Sequence, residues 1–268
     1  MVTAPPTTPK STPPASVGAS SSSDDAWYPA WVAEEADQHI ADRWATAPVR
    51  GPPPTTATAL GNDARNTTTQ VAVVRDQSGH TSVAVSSQTA TVHNVGVAAA
   101  EGHGGGGSAS ATGNTSSTSI LQVSVIYERG TGSATVEQSA TVDNVGTASA
   151  TSAGAASATA VGNHSSTSVT QIAVVFIEGS GNGTVAQSTA VDNVGVASAD
   201  ASDRDATAVG NTSSTDVTQI SVVHVGDADM NVAQTSTTSN IGVATATGGE
   251  ASGNSATNTT TQVVNLDR

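Results

Sequence analysis

The chain has 268 residues, a formal net charge of −14 and no cysteine. That balance excludes electrostatic binding to nucleic acid or to an anionic membrane, and the lack of thiols excludes disulfides and thiolate metal sites. Aromatic residues make up only 2% of the chain and all three tryptophans precede residue 45, so any interior beyond that point must be built in thin layers from Val, Ile, Ala and Thr.

Residues 1–23 are mostly Pro, Ser and Thr with almost nothing to bury, which predicts a disordered tail. The opening "MVTAPPTTPKSTPPAS" has no apolar core of the Sec-signal type, and no run in the chain is long enough for a membrane span. Residues 24–54 hold a Trp-rich segment and a Pro-rich linker. A helix is predicted from Pro29 to Trp44, because Val32, Ala36, Ile40 and Trp44 recur on one face and Asp24 and Asp25 precede its positive end. The prolines of "APVRGPPPTT" end it. With Trp27, Trp31, Ile40 and Trp44 as its apolar side chains, this segment either caps the first turn of the repeat region or docks a cell-envelope component.

From 55 to 268 the chain is made of two alternating motifs with a combined period of about 50 residues. The first runs from a Gly-Asn pair to a glutamine and an apolar run, at one constant interval: Asn62 to Gln70, Asn114 to Gln122, Asn163 to Gln171, Asn211 to Gln219 and Asn254 to Gln262. The second reads "QSTAVDNVGVASA" from Gln187, and its Gln-to-Asn interval is also constant: Gln88 to Asn94, Gln138 to Asn144, Gln187 to Asn193 and Gln234 to Asn240. Linkers between motifs vary, which is the mark of rigid units joined by surface turns. Alternating side chains rich in Val, Ile and Thr predict strands, with Gly, Asn and Asp at the turns.

In the second motif Val191 shares a face with Gln187, whereas Val194 and Val196 lie on the other. A bend at Asn193-Val194-Gly195 would turn both sets inward, since Asn and Gly accept the dihedrals of a corner. Strands coiled around an axis then stack corner on corner, and the predicted fold is all-β: a repetitive β-solenoid of about nine strand-turn units. Position-locked amides suit such a stack, because like amides donate and accept along a column where isolated ones would be costly to bury. Of the compatible turn sizes, about 24 residues is preferred over about 16, because it gives every turn its glutamine. A fibre of three intertwined chains is the alternative architecture.

These Gln and Asn positions in strand-turn-strand units, over roughly residues 57–264, resemble the curlin-type repeats of bacterial amyloid fibres. The texture is also similar to Ala/Thr/Asn-rich solenoid-like repeats of actinobacterial surface proteins. The resemblance implies ladders of Gln70, Gln122, Gln171, Gln219 and Gln262 with Asn94, Asn144, Asn193 and Asn240, and an extracellular or cell-surface location.

No residue pattern points to catalysis, a metal or a cofactor. The six histidines show no ligand spacing, and His93 shares its repeat position with Asp143, Asp192 and Ser239, as expected of a solvated face. Asp227 and Asp229, and the Asp200, Asp203 and Asp205 group, fit neither the EF-hand nor the calcium-binding nonapeptide and read as solvated turns. "EGHGGGG" lacks the Lys-Ser/Thr ending of a phosphate loop. Asn-x-Ser/Thr sequons at Asn66, Asn114, Asn163, Asn182, Asn211 and Asn258 are explained by turn chemistry. Thr89-Ala-Thr91 and Thr235-Ser-Thr237 have the spacing of ice-binding faces. The expected function is structural: a protein whose partner is itself, stacking into a filament, coat or surface fibre. An ice-binding or glycan-binding module and a phage-type trimeric fibre are the alternatives.

Overall fold

The computed structural model describes residues 55–77, 81–103, 106–153, 156–201, 205–227 and 229–267. The predicted tail over 1–23 and the predicted helix with Trp27, Trp31, Ile40 and Trp44 lie outside the described residues. The described part is all-β. Nine strands succeed one another: β1 (Ala57–Asp76), β2 (Val83–Gly102), β3 (Ala109–Arg129), β4 (Ser133–Ser152), β5 (Ala158–Glu178), β6 (Asn182–Ala201), β7 (Ala206–Val225), β8 (Asp229–Thr247) and β9 (Glu250–Asp267).

Odd and even strands form separate parallel sheets, in the orders β1-β3-β5-β7-β9 and β2-β4-β6-β8. We call them the odd and the even sheet. The Gly-Asn motifs build the odd sheet and the "DNVG" motifs the even one, so a full turn of the coil takes two motifs. This corrects the preferred turn of one motif: Gln70 stacks on Gln122, with a separation of 52 residues, rather than on Gln88. The physical reason is strand length. Each motif already supplies an extended segment of about 20 residues that occupies one whole layer, and the chain can return to the same layer only after crossing the other.

Register is unbroken from end to end. Thr112, Asn114 and Gln122 of β3 face Val161, Asn163 and Gln171 of β5, and then Val209, Asn211 and Gln219 of β7. In the even sheet Gln138 and Asn144 align with Gln187 and Asn193. The variable linkers fall at the corners between sheets, where a change of length leaves the strand register untouched.

The expected corner at Asn193-Val194-Gly195 does not form. β6 alternates strictly, with Gln187, Val191, Asn193, Gly195 and Ala197 buried and Val194 and Val196 on the outer face. These outer valines are kept half-covered by their own kind, since Val145, Val194 and Ile241 lie side by side in register. The change of face occurs in the other motif. In β3 Gly113 and Asn114 are both buried, so inward positions are odd-numbered before them and even-numbered after; Gly162-Asn163 and Gly210-Asn211 repeat the shift.

Glycine is needed at these points because the two sheets almost touch there. A Cβ placed on Gly146 would lie 1.8 Å from the carbonyl oxygen of Gly162, and one on Gly195 1.6 Å from that of Gly210. On one side of this waist the core is thin and made of alanine, including Ala109, Ala111, Ala148, Ala150, Ala158 and Ala199. On the other side it widens to hold Ile120, Val142, Val169, Val191 and Val217, and then Ile126, Val136, Val175, Ile177 and Val185. Volume therefore increases along the strands as the sheets diverge. At the corners, Gly130 and Gly179 adopt φ of 133° and 129°, a left-handed backbone that a side chain would strain, and their register repeats from turn to turn.

The waist yields a direct test. Gly146→Ala should destabilise the fold by at least about 3 kcal/mol, because the new methyl meets backbone that cannot swing aside. Gly183→Ala, whose nearest atom would be a Val223 methyl at 3.3 Å, should cost about 1 kcal/mol or less. Urea denaturation of both variants measures the difference.

Candidate functional site

The polar interior is organised in columns. In the odd sheet Gln122 Nε2 donates to Gln70 Oε1 at 2.8 Å, Gln171 to Gln122 at 2.8 Å, Gln219 to Gln171 at 2.8 Å and Gln262 to Gln219 at 2.7 Å. In the even sheet Gln138 donates to Gln88 at 2.9 Å, Gln187 to Gln138 at 2.8 Å and Gln234 to Gln187 at 2.8 Å. Asn94, Asn144 and Asn193 each donate to the next asparagine, ending at Asn240, at 2.8 Å. The spacing of like residues along a parallel, in-register sheet is the reach of one amide hydrogen bond, so each column bonds itself.

A further hydrogen bond from each ladder glutamine of β1 to β8 ties the sheets together. Gln122 Nε2 also donates to Ser139 O and Gln171 Nε2 to Ser188 O, both at 3.0 Å, while from the even sheet Gln138 reaches Ile172 O at 3.1 Å and Gln187 reaches Ile220 O at 3.2 Å. Gln122, Gln171 and Gln219 are wholly buried, and satisfying both N–H groups removes the penalty of burying them.

A further column was not identified from the sequence: Asn62, Asn114, Asn163, Asn211 and Asn254, joined at 2.7–2.8 Å. The constant interval from Gly-Asn to Gln was the available signal. Hydroxyls fill in beside it. Ser116, Ser165 and Ser213 accept from the asparagine two residues before and donate across to Asn144, Asn193 and Asn240. Three sequon asparagines, Asn114, Asn163 and Asn211, are fully buried in this column, where a glycan has no room.

The end strands differ from the inner ones and resemble each other. β1 reads "ARNTTTQV" and β9 "ATNTTTQV", against "SSTSILQV", "SSTSVTQI" and "SSTDVTQI" in β3, β5 and β7. Facing inward, Asn66 and Asn258 replace Thr118, Thr167 and Thr215, while Thr68 and Thr260 replace Ile120, Val169 and Val217. The two asparagines close the even-sheet Asn column. Asn66 Nδ2 donates to Asn94 Oδ1 at 2.7 Å, supplying the donor that the first member lacks, and Asn258 Oδ1 accepts from Asn240 Nδ2 at 3.2 Å.

The outer faces carry the remaining polar groups. His93 lies outward beside Asp143, 2.7 Å away, with over half its side chain exposed. Thr89 and Thr91 point outward from the even sheet, where the Thr91 column runs Thr91, Thr141, Ala190 and Thr237 and is interrupted by the alanine.

Glu128 is the one charged side chain buried in the core among the described residues. Ser82 Oγ donates to its Oε1, its Oε2 has no partner, and Asp76 is its register neighbour on β1. Burial, with a smaller contribution from the negative charge of Asp76, pushes its carboxyl above the usual range.

The columns and the buried carboxyl each set a measurable outcome. Gln171→Leu should cost about 2–4 kcal/mol in chemical denaturation, because Gln122 Oε1 loses its donor and Thr189 its acceptor. Gln262→Leu, on the edge strand, should cost less, about 1–2 kcal/mol, because only Gln219 Oε1 loses a partner. For Glu128 the folded state holds its proton more tightly than the unfolded state. Its neutral form therefore supports the fold at low pH, and stability is lost as pH rises from its ordinary value of 4.5 through the raised folded value. Thermal melts of Glu128→Gln and wild type across pH should diverge over that window, with the variant more stable above it.

No protein-family model, no curated protein and no solved structure matches this chain, and its function is therefore drawn from its own geometry.

Proposed function

We propose that this is a structural protein that adds to copies of itself along the stacking axis, building a filament, coat or surface appendage rather than catalysing a reaction. The observation that carries this reading is the likeness of β1 and β9, the two edge strands of one sheet. Their odd-sheet columns are open at complementary ends. Among the described residues no partner donates to Asn62 Oδ1 or to Gln262 Oε1, while Asn254 Nδ2 and the second N–H of Gln70 can supply such donors. Placing β1 of one copy on β9 of another would continue both columns and pair two strand edges that no strand among the described residues pairs.

The polar inner faces of the edge strands support the same junction. The even sheet has four strands to the odd sheet's five, so joining copies through the odd sheet leaves the even sheet one strand short at each junction. Asn66, Thr68, Asn258 and Thr260 line that space, where hydroxyls and amides suit water and the Ile or Val of the inner strands would not. The resemblance to curlin-type repeats favours assembly outside the cell.

Negative-stain electron micrographs of the purified full chain should show filaments, whereas persistent monomers at high concentration would overturn the reading. Thr260→Pro and Thr261→Pro separate edge pairing from general damage. Adjacent amides of a strand point to opposite sides, so one variant loses a bond to β7 and the other an outward donor. The variant with unchanged stability should be the one that abolishes filaments.

A further inference from the structure

The outer face of the odd sheet carries an apolar band that no described residue covers. One column is Val71, Val123, Ile172, Ile220 and Val263, and the next reads Val73, Val125, Val174, Val222 and, on β9, Asn265. Val71 and Val73 on the edge strand are 64% and 63% exposed. An inner face explains apolar side chains; this is an outer one, while on the same face the columns toward the waist are mostly Ser and Thr, from Thr69, Leu121, Thr170, Thr218 and Thr261 to Ser117, Ser166 and Ser214. The band is therefore a local departure from a hydroxyl-rich surface.

The column bordering it reads Arg75, Tyr127, Phe176, His224 and Asp267 from β1 to β9. It is basic at one end, acidic at the other and aromatic in the middle. His224 pairs with Asp267 at 3.3 Å and stacks near Phe176, with ring centres 6.0 Å apart. A two-fold axis parallel to the strands and passing over β5 would place each column on itself with the order of strands reversed. Arg75 then meets Asp267 of the second copy, Tyr127 meets His224, and Phe176 meets Phe176. Along the apolar columns Val71 meets Val263, Val123 meets Ile220, Val125 meets Val222, and Ile172 and Val174 meet themselves, while Val73 at the rim meets the amide of Asn265. In the neighbouring columns Arg65 meets Thr257, Asp63 meets Ser255 and Asp216 meets Ser119. Glu178 is the one like-charge contact, and each copy already pairs it with Arg129 at 3.6 Å.

We propose that the outer Val/Ile band of the odd sheet is a face-to-face docking surface for a second copy of this chain, related by a two-fold axis over β5. Side chains at regular strand spacing interdigitate with an identical array, as in dry β-sheet interfaces. Three columns across five strands cover about 20 Å by 24 Å, about 500 Å² on each copy. Both sides together reach about 1,000 Å², the lower bound of a specific interface. The surface is isologous and closes at two copies. It is independent of end-to-end growth, which uses strand edges rather than this face.

Analytical ultracentrifugation of the full chain, at concentrations where filaments are removed or blocked by the edge variant, should give a dimer. Ile172→Asp should weaken it at least about 10-fold by burying an unpaired charge. Arg75→Asp and Asp267→Arg should each weaken it about 10-fold, and the double variant should return to within about 3-fold of wild type. The chain has no native cysteine, so Thr170→Cys, on β5 and outside the apolar columns, introduces a single thiol near the axis. Facing sheets lie about 10 Å apart, too far for a disulfide. A short bis-maleimide should therefore join two Thr170→Cys chains but not two carrying Thr141→Cys on the even sheet. A monomer whose mass is unmoved by Ile172→Asp overturns the proposal and assigns the band to another occupant, such as the Trp-bearing segment of the same chain. A dimer in which the double charge variant is no better than the singles overturns the two-fold arrangement. Filaments that persist in Ile172→Asp leave end-to-end growth standing, and a dimer that survives in the edge variant leaves this surface standing.

Discussion

A buried amide is tolerable only when each of its donors and acceptors is met, and the fold meets them by placing identical residues one strand spacing apart. Gln122 can be wholly buried because Gln70 accepts a hydrogen bond from it, Gln171 donates one to it in return, and a carbonyl of the opposite sheet accepts from its other N–H. That arrangement requires parallel strands in exact alignment, since a slip of one residue would move every column to the outer face. The columns therefore fix the register, and the register keeps the columns satisfied.

The glycine waist and the uneven core depend on the same alignment. Where Gly146 meets Gly162 the sheets are held so close that only alanine fits beyond, and toward the other corner they part enough for Ile126 and Ile177. The polar columns stand between these apolar compartments, with Asn beside the waist and Gln between the central and the widest clusters. A fold so poor in aromatic residues gains its specificity from hydrogen-bond position more than from the shapes of large side chains.

The strands and the all-β architecture were legible in the sequence because alternation and constant intervals report directly on extended, stacked chain, whereas Asn66, Asn114, Asn163, Asn211 and Asn258, read there as turn residues, lie within strands. The turn size was not. Two motifs of similar length look like equivalent turns, and nothing local distinguishes a neighbour in sequence from a neighbour in the sheet. The corner expected at Asn193-Val194-Gly195 was misplaced for a related reason: outward valines look wrong on one strand and become reasonable only when Val145 and Ile241 flank them. Glu128 was equally invisible, since its repeat position holds Asp76, Ile177 and Val225 and so shows no constancy. The likeness of β1 to β9 was readable as "NTTTQV" in both, but it acquires meaning only once they are the two edges of one sheet.

The sense of the columns has an effect on length. Each glutamine column donates from later strands toward earlier ones, and each asparagine column donates the opposite way. In every full turn the side-chain dipoles of one type are set against those of the other. Their fields oppose along the axis instead of accumulating as they do in a helix. Adding turns therefore builds up little electrical polarity from the amides, so a rod of this kind can be extended without growing charged at its tips.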